Sequence, residues 1–288
     1  MRILITGASG MLGCTLAPFL EAQGHTVIRH GHSTAADVVC DLINCADTAA
    51  MLETVAPDCV VNLVAATNVD ECERSPHSAY LLNIRTVENL VAGLAGRKSA
   101  FLIQVSTDQV YDSIGDSDEN DVCLTNIYAM SKYAGELAAL RMPAAVLRTN
   151  FFGPSRHPTR KSFSDWLLDN FRDGKEFTAF TDVAFRPLLM NTLSAAIDRV
   201  LRQPAVGVFN LGSDQGMSKA DFAVALAEAF DFPVTPMRRG TTTDVELAAF
   251  RPKNMCMNSS KFERTFGMKL PRLSDEIKRM RSDINVAT

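Results

Sequence analysis

No stretch of the 288-residue chain approaches the roughly eighteen consecutive apolar residues that a membrane-spanning helix needs. The apolar start at residues 2–5 has no basic n-region and no cleavage site, and it runs straight into glycines. These residues therefore read as fold, and a cytoplasmic protein without membrane contact is expected. There is no Cys-x-x-Cys pair among the seven cysteines (14, 40, 45, 59, 72, 123 and 256), and the five histidines are not spaced as ligands beside them. Reduced thiols in the packing are expected, with no metal centre. No long run carries one sign of charge, and 29 basic against 33 acidic residues leave a net charge of −4. A surface for a phosphate backbone has no compositional support, so nucleic acid is not an expected partner. Internal repeats, low-complexity tracts and Gly/Ser linkers are absent too.

What is present is ordinary globular material: 47% hydrophobic and 22% charged residues, which excludes a disordered, collagen-like or coiled-coil chain. In the first half, short β-branched or apolar runs (3–6, 26–29, 59–63, 101–106, 145–148) alternate with stretches of helical period (11–23, 44–55, 76–94, 127–142). The spacing between runs suits βαβ crossovers and is too large for hairpins, so an α/β doubly wound parallel sheet is expected. After Arg148, Gly153, Pro154, Pro158 and Pro187 break the alternation, while 163–171, 191–201, 219–230 and 273–280 still read as helices. The expected division is a nucleotide-binding domain over 1–150 and a smaller substrate-binding lobe over 151–288, interleaved with the last strands of the sheet.

The first strand leads at once into Gly7-Ala8-Ser9-Gly10-Met11-Leu12-Gly13 and then a helix. A strand-to-helix turn of this kind needs one glycine for positive φ, a second so that backbone can approach a pyrophosphate, and a third for close helix packing. Backbone N–H groups at the helix start, with the positive end of its dipole, would hold the phosphates of a dinucleotide. That points to a Rossmann-type fold. The second strand ends Val27-Ile28-Arg29-His30, with no acid between Glu21 and Asp37. An acid there would take the 2′-hydroxyl of NAD, whereas an arginine suits a 2′-phosphate, so NADPH is the expected cofactor and NADH the second option. His30 is placed with Arg29. Asp41-Leu42 follows the next short run, with Asp41 open to a second reading as a helix cap. The small residues Ala65, Ala66 and Thr67 leave room for a ligand at the carboxyl edge of the sheet.

The fourth run ends Ser106-Thr107-Asp108-Gln109, and Tyr128 with Lys132 follows on the next helix. Tyrosine and lysine four apart share a helix face, so the ammonium is expected to lower the phenol toward neutrality. Such a tyrosine can pass a proton to a carbonyl oxygen as hydride reaches carbon, with the Thr107 hydroxyl holding that oxygen.

Through Thr6-Gly7-Ala8-Ser9-Gly10-Met11-Leu12-Gly13, Ser106-Thr107-Asp108 and Tyr128 with Lys132, the sequence resembles the extended short-chain dehydrogenase/reductase family. Residues 61–70, Asn83, Asn89-Leu90, 106–112, Arg251-Pro252 and Asn254 make it most similar to the dTDP-4-dehydrorhamnose reductases within that family. The resemblance implies a nucleotide-diphosphate sugar with a 4-keto group as substrate, and Thr107, Tyr128 and Lys132 as catalytic residues. Lys132 would also donate to the nicotinamide ribose, and Asp41-Leu42 would lie beside adenine. Thr67, Val69, Asp108, Gln109 and an aromatic at Phe151 or Phe152 are implied near the sugar, with Arg186 counted on that side. Gln109 stands where the rhamnose reductases usually carry an aromatic residue, Phe151 near a usual tryptophan, and Arg186-Pro187-Leu188 lacks their proline-threonine pair. The sister dehydratases carry an acid at position 109, and an amide cannot act as that base. An epimerase and a non-catalytic regulatory subunit of the same fold, like that of methionine adenosyltransferase, remain alternatives, and a homodimer is the assembly to look for.

Overall fold

The computed structural model describes residues 1–32, 36–97 and 100–287. Its centre is a seven-stranded sheet of β1 (Arg2–Thr6), β2 (Thr26–Gly31), β3 (Val38–Val39), β4 (Cys59–Asn62), β5 (Phe101–Thr107), β6 (Ala144–Thr149) and β7 (Gly207–Leu211). The spatial order is β7-β6-β5-β4-β1-β2-β3, and every pairing is parallel. Ile3 of β1 therefore sits between Val27 and Cys59, and the chain order reverses between β1 and β4. At that switch point the carboxyl ends of the strands open a crevice, where sheets of this kind hold ligands.

The central strands are mostly apolar on both faces because helices cover both, with polar residues such as Asn62, Thr107 and Thr149 at their carboxyl ends. On one face Leu12, Leu16 and Leu20 of α1 (Met11–Ala22) meet Leu193 and Ile197 of the helix Met190–Arg202 and Phe262 and Phe266 of the helix Ser260–Phe266. On the other, Leu52 of α2 (Cys45–Val55) packs with Val87, Leu90 and Leu94 of the helix Thr86–Leu94. A third core lies off the sheet, where Phe152, Phe185 and Phe222 pack edge to face with ring centroids 5.1 and 5.3 Å apart.

The structure departs from the periodicity in three places. β7, from the region after 150 that is expected to interleave with the sheet, is a strand that none of the expected strand runs covers. The helix expected over 76–94 is three pieces, Pro76–Tyr80, a π turn Leu81–Arg85, and Thr86–Leu94. The extra residue in the π turn re-aims Asn83, whose carbonyl lies so near Gly135 that an added Cβ would stand 2.3 Å from it. Asn44, and not Asp41, caps α2, accepting from Ala46 and Asp47 N–H groups, while Asp41 accepts from Ile43 N–H at 3.0 Å. No helix among the described residues is long and apolar enough to cross a membrane.

Candidate active site

Each glycine of the turn after β1 has a separate reason to be there. Gly7 has φ +68°, and a Cβ on it would meet Val64 at 3.1 Å. Gly10 N–H closes the turn onto Gly7 O at 2.9 Å. A Cβ on Gly13 would lie 2.4 Å from Ala8 O, so only glycine lets α1 press this closely on the loop. The N-cap of α1 is Gly10, with no side-chain cap and no acid in the first turn. The helix start thus faces the crevice with N–H groups and a positive dipole end that no side-chain cap and no first-turn acid neutralises, which suits a phosphate.

Gly7, Gly10, Met11, Leu12 and Gly13 line a cleft of about 300 Å³ together with Ala65, Thr67, Thr107, Asp108, Gln109, Tyr128, Lys132 and Phe151. Thr107 ends β5; Tyr128 and Lys132 share one face of α3 (Ile127–Ala139), which Asn126 starts by accepting from Ala129 N–H at 2.8 Å. The Tyr128 hydroxyl is in hydrogen-bond reach of Thr107. Contrary to the expectation from spacing, the phenol is held above its ordinary range, first by burial and further by the Asp108 carboxylate, so it is neutral. Lys132 donates to Val105 O at 2.8 Å, and desolvation brings its ammonium down to about 8.

A second cavity of about 530 Å³ shares Thr67, Gln109 and Asn150 with the first and continues past Val69, Phe163, Lys219 and Arg251. Asp108 is 1% exposed and accepts from Asn150 at 2.8 Å and from Thr107 at 3.3 Å; burial pushes its carboxyl up to about 6. Arg251 is ion-paired to Asp70 at 2.7 Å. Asn150, Lys219 and Arg251 were not among the expected site residues. Asn150 directly follows β6, so the strand-end logic that found Thr107 would have found it too.

Two residues expected near the sugar are elsewhere. Phe152 is 1% exposed inside the third core, because side chains alternate along the short strand Phe151–Phe152 and only Phe151 faces the cleft. Arg186 lines neither cavity; both carboxylate oxygens of Asp116 hold its Nη2 at 2.7 Å.

Beside the glycine turn and Arg29, a cavity of about 720 Å³ is lined by Ser9, Arg29 and His32 from the sheet side and by Arg156 and Arg160 from the loop after β6. Arg29 Nη1 lies 2.7 Å from Glu21, and its backbone N–H donates to Asp37 at 2.8 Å, so both flanking acids reach it after all. His30 is buried: its Nδ1 accepts from Gly7 N–H at 3.3 Å and its Nε2 faces Cys40 O at 2.9 Å, and desolvation lowers its pKa. It props the glycine turn and cannot reach a ligand. Leu42 is a core residue whose carbonyl accepts from Asn89 at 2.8 Å, and Asp41 lines no described cavity. Ala66 has its backbone clamped by Asn83, which accepts from its N–H at 2.8 Å and donates to its carbonyl at 3.2 Å; it positions the edge without lining the cleft.

The family model for the RmlD substrate binding domain matches residues 1–286. A dTDP-4-dehydrorhamnose reductase of Escherichia coli is 28% identical over 303 residues, covering 100% of this chain and 99% of the relative. A methionine adenosyltransferase 2 subunit beta of Xenopus tropicalis is 29% identical, covering 91% of this chain and 82% of the relative. The crystal structure of a dTDP-4-dehydrorhamnose reductase from Clostridium acetobutylicum superposes with a TM-score of 0.90 at 25% identity, covering 99% of this chain and 100% of that one.

Proposed function

The chain belongs to the RmlD substrate-binding-domain family, within the extended short-chain dehydrogenases/reductases, and from that premise we propose that it is an NADPH-dependent reductase of the 4-keto group of a nucleotide-diphosphate 6-deoxysugar. The observation that carries this reading is the meeting of Thr107, Tyr128 and Lys132 in the same cleft as the uncapped start of α1. NADPH, when bound, supplies the hydride for the ketone carbon. The chain supplies the rest. Thr107 holds the ketone oxygen, and the neutral Tyr128 hydroxyl gives it a proton as charge develops there, completing the alcohol. Lys132, still mostly an ammonium at neutral pH, offsets the phenolate left behind. In this reading residues 1–150 carry the cofactor and the sugar lies between them and the lobe after 150, against Thr67, Val69, Asp108, Gln109 and Asn150.

A regulatory subunit is the second reading, which the match to the methionine adenosyltransferase subunit favours. Retention of all three reacting groups weighs against it. An epimerase would return its reduced cofactor, whereas a reductase consumes it one for one. Mixing the protein with NADPH and dTDP-4-dehydrorhamnose should bleach the 340 nm absorbance in proportion to product. A protein that binds the cofactor and never oxidises it would overturn the reductase.

Cofactor preference has its own test. Arg29 can turn from Glu21 to a 2′-phosphate, but at 35% exposure its charge is screened and shared. Arg29→Ala is expected to raise KM for NADPH by no more than about tenfold while leaving that for NADH unchanged. Steady-state kinetics with both cofactors measure this, and equal losses for the two would remove Arg29 from 2′-phosphate recognition.

A further inference from the structure

Lys219 is the first residue of the helix Lys219–Ala229, set by the Ser218 cap and by its own N–H donating to Val183 O at 2.9 Å. Its side chain lines the larger of the two connected cavities. The ammonium stands 3.3 Å from the centroid of the Phe185 ring and 4.6 Å from that of Phe163. Among the described residues it makes no hydrogen bond and no ion pair. Ring faces compensate part of a desolvated charge, but they satisfy none of its three N–H donors. Burial has already pulled this ammonium down to about 8, so the ring contacts do not repay its desolvation.

Asp108 lines the adjoining cleft, which shares Thr67, Gln109 and Asn150 with this cavity, and it feels the charge of Lys219. Its carboxyl is anchored by Asn150 at 2.8 Å and by Thr107 at 3.3 Å, and it keeps lone pairs to spare. An unsatisfied donor and an anchored acceptor thus flank the space that begins at Thr107. Adjacent ring hydroxyls of a sugar, each both donor and acceptor, match such a couple. A diphosphate does not, because the Asp108 carboxylate would repel it, and the other cation of this cavity, Arg251, is already spent on Asp70.

We propose that Lys219 is a sugar-orienting residue: its ammonium donates to a ring hydroxyl of the nucleotide-bound hexose while Asp108 accepts from the neighbouring hydroxyl, turning the 4-keto group toward Thr107 and Tyr128. The assignment rests on the ketoreductase reading, which supplies the hexose.

The test is calorimetric titration of the NADP-loaded protein with dTDP-glucose and, separately, with dTDP. Lys219→Met keeps an unbranched chain against Phe185 and removes the donor; Lys219→Gln keeps a donor without charge and serves if the first variant melts early. Either variant should weaken dTDP-glucose roughly tenfold or more and leave dTDP unchanged. Equal weakening of both ligands would place the ammonium on the diphosphate, and no weakening of either would place it outside the site; both overturn the proposal. Selective loss of dTDP-glucose affinity in a protein that never oxidises NADPH would uphold the sugar contact and defeat the reductase reading alone.

Discussion

Tyr128→Phe is expected to lower turnover by roughly 10²–10⁴ while leaving cofactor affinity near that of the wild-type protein. In the proposed reaction the hydroxyl is the proton source: the phenol is held neutral by burial, Thr107 is within its reach, and the Lys132 ammonium is committed to Val105 O. The ring has a separate, structural duty. It packs with Cys72 and Ala79 beneath Val69 and Ile127, and phenylalanine fills that space as well. The melting temperature should therefore stay put as kcat falls. NADPH consumption, calorimetric titration of cofactor and a thermal melt together separate the two roles. Unchanged turnover would mean that the proton comes from elsewhere, and the assignment of the cleft would fail with it.

Why Tyr128 was legible in the sequence, and Lys219 was not, is a matter of range. Gly7, Gly10 and Gly13 answer to φ and close approach within a dozen residues, and Tyr128 and Lys132 answer to one helical turn. Such local rules survive folding, so the parallel sheet and the candidates that meet in the cleft were legible in the sequence, whereas the strand order and its switch point were not. Arg29 shows the limit. Its two acids stand outside the strand end on either side in sequence, and only the packing of α1 beside β2 reveals that Glu21 reaches it. The same holds for Lys219 and Arg251, which sit in the cavity through contacts made far along the chain. Phe151 and Phe152 could not be told apart because a two-residue strand fixes which side chain faces inward only once its partner, Leu188–Leu189, is known. The rise in Tyr128 acidity expected from Lys132 failed for another reason: the spacing shows proximity, but burial is a property of the whole fold, and here it dominates.

The largest stability effect is expected at Arg148→Met, which should cost about 3–5 kcal/mol by leaving a buried carboxylate unpaired. Arg148 and Glu136 are 2% and 1% exposed and lie 2.6 Å apart, Nη2 to Oε2, with Nε adding bonds of 3.0 and 3.1 Å. Glu136 also accepts from Ser106, the neighbour of Thr107, and it stands one helical turn beyond Lys132. The pair ties β5 and α3, which carry Thr107, Tyr128 and Lys132, to β6. Nη1 of Arg148 donates further to the Tyr111 hydroxyl and to Glu119 O, both at 2.7 Å, and Tyr111 donates to Asn210 of β7 at 2.7 Å. Methionine can occupy much of the arginine stem's volume, so the loss is electrostatic more than steric. Adding Glu136→Gln removes the orphaned charge, and the double variant should recover a large part of the deficit, whereas independent packing defects would add. Urea midpoints of the two single variants and the double one measure the coupling. Additive losses would show that the ion pair matters here only as filled space.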